Sequence, residues 1–491
     1  MRRTVVTLLL VACGASQSPE PAASVDRPTA PPPAAAVSPL PWSAQWPGRI
    51  ASLQSFNADG DTFMRVGAPL EIITAASPTT YGALGEGIAR LGPNGAPIFV
   101  APIPSDLRLT TFAAATDGGV LVIGDTQRAP EPGELFAIAD TALTSFGPDG
   151  QRRWQHRFTS AHHLSVRAAT AVPGHGVALV AHFVADVHYT ADPSIAAIEP
   201  RGRQTTHIDG RGNETSERTG TLLTLLADDG RPRWSRSLAV TAGSLMTSIS
   251  ASARGQIALV GACLGAGASS EDGCRDNDEA PFVALWAADG TPLWLRTLGG
   301  EGRNRSATTV AILDDGGVAV GGDFLGTMTD GPTPVIAAEP MRDGFVARYD
   351  ASGTLRWIRH LRGASEAVLH VVPAPAGGTW VYAEVSAELE LGDGHTYTRP
   401  DGRKNNSVLL ACYSADGVLL SLTLHDRHPD PNLGQPPLTA PWLALGGISG
   451  APDGSLRLSG TFVGDVLLPL AAPPRTLSST SEHSFTLALQ P

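Results

Sequence analysis

The stretch "FVALWAADGTPLWLRTLGG", residues 282–300, is followed in the same chain by a near copy of itself, "FVARYDASGTLRWIRHLRG", residues 345–363. Each copy is an apolar run, a small-residue turn ending in Gly, three residues, Trp and a second apolar run. Asp-Gly or Asn-Gly between two apolar runs predicts a β-hairpin, with positive φ expected at both turn positions. The same form recurs around Gly95 ("GPNGAPIF"), Gly150 ("GPDGQRRW"), Gly230 ("ADDGRPRW") and Gly417 ("SADGVLLS"). Trp154, Trp234, Trp294 and Trp357 each stand four positions after their Gly, with Phe99 and Ser421 as the departures. A large aromatic at a fixed strand position is suited to packing between neighbouring sheets.

A second turn alternates with the first, at Gly60, Gly118, Gly176, Gly255, Gly316, Gly377 and Gly454. These glycines are 58, 58, 79, 61, 61 and 77 residues apart, and each lies between runs of strand formers such as "VALVAHF", residues 177–183. Two hairpins per period make a four-stranded unit, and such units repeated radially build a β-propeller. Seven turns of the second kind predict an all-β, seven-bladed β-propeller of four-stranded blades.

Only six turns of the first kind are present, so one blade needs an outer strand from elsewhere. "EHSFTLALQP" at the C-terminus places Phe485 in register with Phe282 and Phe345, and "PLPWSAQWPG", residues 39–48, has the form of the missing strand. The expectation is that this N-terminal segment pairs with the C-terminal strand and leaves no free sheet edge.

On these residues the chain resembles the bacterial propeller repeats of the SBBP type found in exported myxobacterial lipoproteins. The resemblance is carried by "DGFVARYDASGTLRWIRHLRG" with "VAVGGDFLGTM" before it, and by "PFVALWAADGTPLWLRTLGG" with "QIALVGACLG" before it. It runs from Trp42 to Pro491, is strongest between about 220 and 360, and implies the propeller fold while bringing no catalytic residues. "DGTPLW" also resembles quinoprotein repeats and the propeller lipoprotein of outer-membrane barrel assembly, whose repeats are shorter than the period of this chain.

Composition points the same way. With 54 Gly and 40 Pro among 491 residues, the chain suits many short strands and tight turns. Lys404 is the lone lysine, which removes most lysine-based chemistry. The net charge of -12 repels nucleic acid, and no nucleic-acid partner is expected.

The N-terminus, "MRRTVVTLLLVACGAS", has two Arg, an apolar run from Thr4 to Ala12 too short to span a bilayer, and then Cys13. "LVAC" resembles a bacterial lipobox, which implies a signal peptide of residues 1–12 and acylation of Cys13. Gly14 lacks the Asp that retains enterobacterial lipoproteins at the inner membrane, so the resemblance implies an outer-membrane lipoprotein facing the periplasm or the cell surface. Residues 13–40 read as a Pro- and Ala-rich tether, reaching about 80 Å at about 3.1 Å per residue, and residues 41–491 as one propeller domain.

The long, unequal connections, near 126–140, 184–218, 264–280, 326–343, 392–406 and 425–440, mark the face opposite the short turns as the expected binding face. Candidate binding residues on it are Arg201, Arg203 and Arg211, then Asp276, Asp278 and Glu279, and His425 with His428. In an exported protein, Cys263 and Cys274 read as a disulfide closing their loop, and Cys412 as a buried thiol. The acidic loop lacks the spacing of a calcium-binding loop, and His162, His163, Asp186 and His188 lack a third ligand at diagnostic spacing, so no metal and no cofactor are expected. The signatures of nucleophile elbows, zinc proteases and P-loops are missing.

The expected role is therefore a monomeric, lipid-anchored, non-enzymatic recognition or scaffold module. Its partners would be envelope proteins or surface glycans. The alternatives are an exported glycan-active hydrolase or lyase, using two carboxylates at the channel mouth, and an envelope-assembly scaffold.

Overall fold

The computed structural model describes residues 43–47, 54–56, 61–66, 70–73, 78–81, 86–127, 139–160, 164–190, 192, 195–201, 204–208, 214–238, 248–263, 280–300, 305–330, 333–337, 342–362, 368–385, 388–391, 396–398, 407–426, 442–450, 456–468 and 475–489. These residues form seven four-stranded antiparallel blades, each running from an inner strand to an outer one. Blade 1 is Gln54–Phe56, Thr62–Val66, Gly87–Leu91 and Pro97–Pro102. Blade 2 is Leu107–Ala114, Val120–Gln127, Ala139–Phe146 and Arg152–Ser160. Blade 3 is Leu164–Val172, Gly176–Val184, Glu214–Leu226 and Pro232–Leu238. Blade 4 is Ser248–Ala251, Ile257–Cys263, Ala280–Trp286 and Pro292–Thr297. Blade 5 is Ser306–Ile312, Val318–Phe324, Asp343–Tyr349 and Leu355–Leu361. Blade 6 is Val368–Ala374, Gly378–Val385, Ser407–Tyr413 and Leu419–Asp426.

Blade 7 has Trp442–Gly450, Leu456–Leu468 and Arg475–Leu489, and its fourth place is taken by the N-terminal strand Ser43–Pro47. Gln45 pairs with Phe485 and Ala44 with Thr486, so the expected circular completion is present. Each inner strand packs on the inner strand of the following blade from blade 1 to blade 7. The ring then returns to its start: Arg457 Nε of blade 7 donates to Thr62 Oγ1 of blade 1 at 3.4 Å.

The core lies between blades. In the second strand of blade 5, Val318, Val320 and Phe324 pack toward blade 4 with Ala258, Val283 and Leu285, whereas Ala319 packs toward blade 6 with Val368 and Val381. Both faces of the sheet are covered, which is why such strands read as continuous apolar runs.

The turns of the first kind differ from expectation in one respect. Gly290 has φ 82° and Gly353 φ 79°, but the residue before each does not share the left-handed conformation. Gly290 N donates to Ala287 O, and Ala287 N to Thr291 O, giving a type I turn followed by a left-handed glycine. Asp289 is there for its side chain: Oδ1 accepts from Thr291 N at 2.8 Å. Asn94, Asp149 and Asp229 accept in the same way from Ala96, Gln151 and Arg231. The Thr291 hydrogen bonds hold the exposed Asp289 carboxyl below the usual range. At the variant turn, the Ser352 hydroxyl and the Thr354 amide bring Asp350 down to about 2.

This turn inserts one extra residue into each outer strand, so that the partner of Leu285 is Trp294 and that of Trp286 is Pro292. Leu293 is squeezed outward at that bulge. Ile98 and Leu420 occupy the same position, which accounts for three of the four exposed large apolar side chains among the described residues.

Candidate functional site

The repeated Trp joins one blade to the next. Trp154, Trp234, Trp294 and Trp357 donate from Nε1 to the carbonyls of Asp228, Ala288, Ala351 and Ala415, at 2.8, 2.9, 3.1 and 2.9 Å. Every acceptor lies in the outer turn of the following blade. The indole fills the space where a side chain on the turn glycine would be: a Cβ on Gly353 would sit 2.6 Å from Trp294 Cδ2. Phe99 lies against Gly150 in the same fashion, without the hydrogen bond. Ser421 departs because blade 7, its forward neighbour, takes its outer strand from residues 43–47 and has no outer turn to receive an indole.

Two residues after the Trp stands a second partner of the same turn. Arg236, Arg296 and Arg359 donate from Nε to the carbonyls of Gly290, Gly353 and Gly417 at 2.7, 2.8 and 2.9 Å. His156 takes this place in blade 2, 3.1 Å from the Asp229 carbonyl and stacked on Trp154. The W-x-R spacing repeats openly in the sequence, and reading the Trp alone misses it.

The long connections between second and third strands also serve the ring. In blade 1, Leu70–Ile73 and Pro78–Tyr81 form a hairpin whose first strand pairs with Ser43–Pro47, the outer strand of blade 7. Val187–Tyr189, in the insertion of blade 3, pairs with the outer strand of blade 2. Thr329, in the insertion of blade 5, bridges to Gly299 after blade 4, and Glu390 of blade 6 bridges to Arg362 after blade 5. Each insertion thus reaches back over the preceding blade. Val187 and Tyr189 fill the junction of blades 2 and 3, Met328 that of blades 4 and 5, and Leu391 that of blades 5 and 6.

At the junction of blades 3 and 4 lies a groove of about 420 Å³. Its apolar floor is Phe282, Ala284 and Trp286, which pack toward Leu223 and Leu225 of blade 3. Phe282 is 1% and Trp286 4% exposed, so the apolar floor offers little surface. The exposed walls are Arg201, Arg236, Pro292 and the bulge residue Leu293. Arg236 differs from its counterparts. Arg296 and Arg359 also bond a terminal nitrogen, to Leu295 O and Ile358 O, whereas for Arg236 the described residues show the Nε bond alone. Among the described residues lining the groove there is no carboxylate, His or Cys.

Of the residues singled out from sequence, Arg201 reaches this groove. His425 lies in the outer strand of blade 6, opposite Val408. His188 is exposed on Val187–Tyr189. Cys412 is buried between blades 6 and 7, and Cys263 ends the second strand of blade 4. Cys13, Arg203, Arg211, Cys274, Asp276, Asp278, Glu279 and His428, with the rest of the loop 264–279, lie outside the described residues. Among the described residues no group of three or more His, Cys, Asp or Glu could hold a metal ion, and no helix is long and apolar enough to cross a membrane.

No protein-family model matches the chain, and no curated protein matches it. Solved structures align with the chain only at low identity and low TM-score. The NanB sialidase of Streptococcus pneumoniae is 8% identical with a TM-score of 0.35, over 92% of this chain and 92% of that one. A protein of unknown function from Bacteroides caccae is 11% identical with a TM-score of 0.33, over 69% of this chain and 89% of that one. The rhamnogalacturonan lyase YesW is 12% identical with a TM-score of 0.30, over 77% of this chain and 76% of that one.

Proposed function

We propose that this chain is an exported, lipid-anchored β-propeller of the SBBP-repeat kind, held at the outer membrane through Cys13, that recognises an envelope ligand without transforming it. The observation that carries the recognition reading is the lining of the groove between blades 3 and 4. Arg201 and Arg236 line it, and its described lining residues hold no acid, base or nucleophile pair. A site of this volume is in the range of small-molecule pockets, about 300–1,000 Å³. The insertions on the opposite side of the sheets are partly committed to covering neighbouring blades, which favours the rim as the recognition surface. The charged leader, the short apolar run and "LVAC" support the address.

Two measurements test the two halves. Growth with labelled palmitate labels the purified chain, and the Cys13→Ser variant loses the label; an unlabelled wild-type chain overturns the anchor. Cell-surface polysaccharide passed over the immobilised full chain is retained and eluted at unchanged length. Shortened polysaccharide overturns recognition in favour of a hydrolase or lyase.

A further inference from the structure

We infer that the outer turn of blade 1 is the docking surface for Trp42: the indole covers Gly95 and donates from Nε1 to the Pro93 carbonyl, latching the N-terminal segment across the closure of the ring. Three observations converge. First, the register makes Trp42 the aromatic of blade 7. Phe485 faces Gly460 as Phe282 faces Gly261 and Phe345 faces Gly322, so these three Phe are equivalent. Toward the rim Phe485 pairs with Gln45, Phe282 with Thr297 and Phe345 with His360. Trp294 and Trp357 stand three positions before Thr297 and His360, and Trp42 stands three positions before Gln45.

Second, the outer turn of blade 1 lacks only this partner. Gly150, Gly230, Gly290, Gly353 and Gly417 each lie against the aromatic of the preceding blade, and blade 7 precedes blade 1. Gly95 has φ 80° and its N donates to Gly92 O at 2.8 Å, the same turn as at Gly290 and Gly353.

Third, that turn is engaged. Gly95 is buried, as Gly230, Gly290, Gly353 and Gly417 are beneath their indoles, whereas Gly150 beneath the smaller Phe99 is half-buried. Pro93 stands two positions before Gly95, where Asp228, Ala288, Ala351 and Ala415 accept the indole N–H in the later blades. Pro93 is not without a partner. Having no N–H, it can engage one only through its carbonyl. Because the Pro-rich stretch ends at residue 40, the latch roots it at the rim of blade 1, and a pull on the N-terminus is carried by the indole as well as by the strand ladder.

A double-mutant cycle on the full chain, read as urea midpoints, tests this. Gly95→Ala adds both backbone strain and pressure on the indole, so it is expected to lower the midpoint about twice as far in the wild type as in the Trp42→Ala background. Gly150→Ala, on the neighbouring outer turn, is expected to cost the same in both. Additive effects at Gly95 overturn the latch. Coupling that appears only at high protein concentration puts the tryptophan of a second copy on the turn and overturns a latch within one chain.

A second measurement serves if Trp42→Ala does not fold. In the chain labelled with 5-fluorotryptophan, the fluorine resonance of Trp42 is the one lost in Trp42→Phe. It is expected to shift in Gly95→Ala and to stay in place in Gly150→Ala. A resonance that moves in neither variant overturns the docking.

Discussion

Arg457 and Thr62 stand 395 positions apart in the chain and 3.4 Å apart in space, Nε to Oγ1. Both are almost wholly buried, at 2% and 0% exposure. This contact joins the second strands of blades 7 and 1, while Gln45 and Phe485 join the N-terminal strand to the C-terminal one. The ring is therefore sealed twice, once near its inner strands and once at its rim.

The rim seal depends on a strand that pairs on both sides, since Gln45 faces Phe485 on one and Glu71 on the other. Gln45→Pro removes an amide from the middle of that ladder, and a loss of about 2–4 kcal/mol is expected. Urea denaturation followed by tryptophan fluorescence measures it. An unchanged midpoint would mean that the strand contributes nothing to closure.

Trp294 is expected to separate into its two contributions. Trp294→Phe keeps the ring against Gly353 and loses the 3.1 Å bond to Ala351 O, at a cost of about 1 kcal/mol. Trp294→Ala also loses the buried indole, at a cost of about 3–5 kcal/mol. Denaturant midpoints of the two variants check the order.

Gly353 and Gly316 share a left-handed backbone, with φ 79° and 81°. A methyl group at Gly353 would press on Trp294 at 2.6 Å, whereas at Gly316 the nearest atom is Ala351 Cβ at 3.5 Å. Gly316→Ala is expected to cost only the backbone strain, about 1–2 kcal/mol. Gly353→Ala adds overpacking of about 1–3 kcal/mol. Thermal melts that rank them the other way round would show that the indole yields freely.

His370, on the inner strand of blade 6, has its imidazole pushed down to about 4 by burial beside Tyr382. A cation is resisted in the folded state and accepted in the unfolded one. The chain therefore loses stability as pH falls below about 6.5, continuing to about pH 4, by at most about 3 kcal/mol. His370→Gln flattens that part of the pH–stability curve. Asp350 acts lower on the scale: its depressed carboxyl contributes stability above the ordinary carboxylate value, lost as pH falls toward about 2.

The propeller was legible because its cause is periodic. The turn glycines, the Trp at +4 and the in-register Phe485 are local marks repeated once per blade, and they predict count and closure together. The turn type is not legible in the sequence because Asp-Gly serves two different turns, and only the backbone of Asp289 separates them. The groove was not legible. It depends on which residues face each other across the junction of two blades, and Arg236 looks in sequence like Arg296. Arg201 could be flagged by charge, but its companion at Arg236 comes from the outer strand of blade 3 and the floor from blade 4.

The hairpin of blade 1 alters the order in which the ring can be made. Ser43–Pro47 finds Leu70–Ile73 within about thirty residues, a short loop to close, long before Arg475–Leu489 exists to meet it. A three-stranded meander can therefore form early in synthesis and hold the first strand in an extended shape, and the final hairpin docks onto a template already laid out. The slow, long-range step becomes the addition of a hairpin to a waiting edge, and a chain synthesised N-terminus first meets its partners in that order.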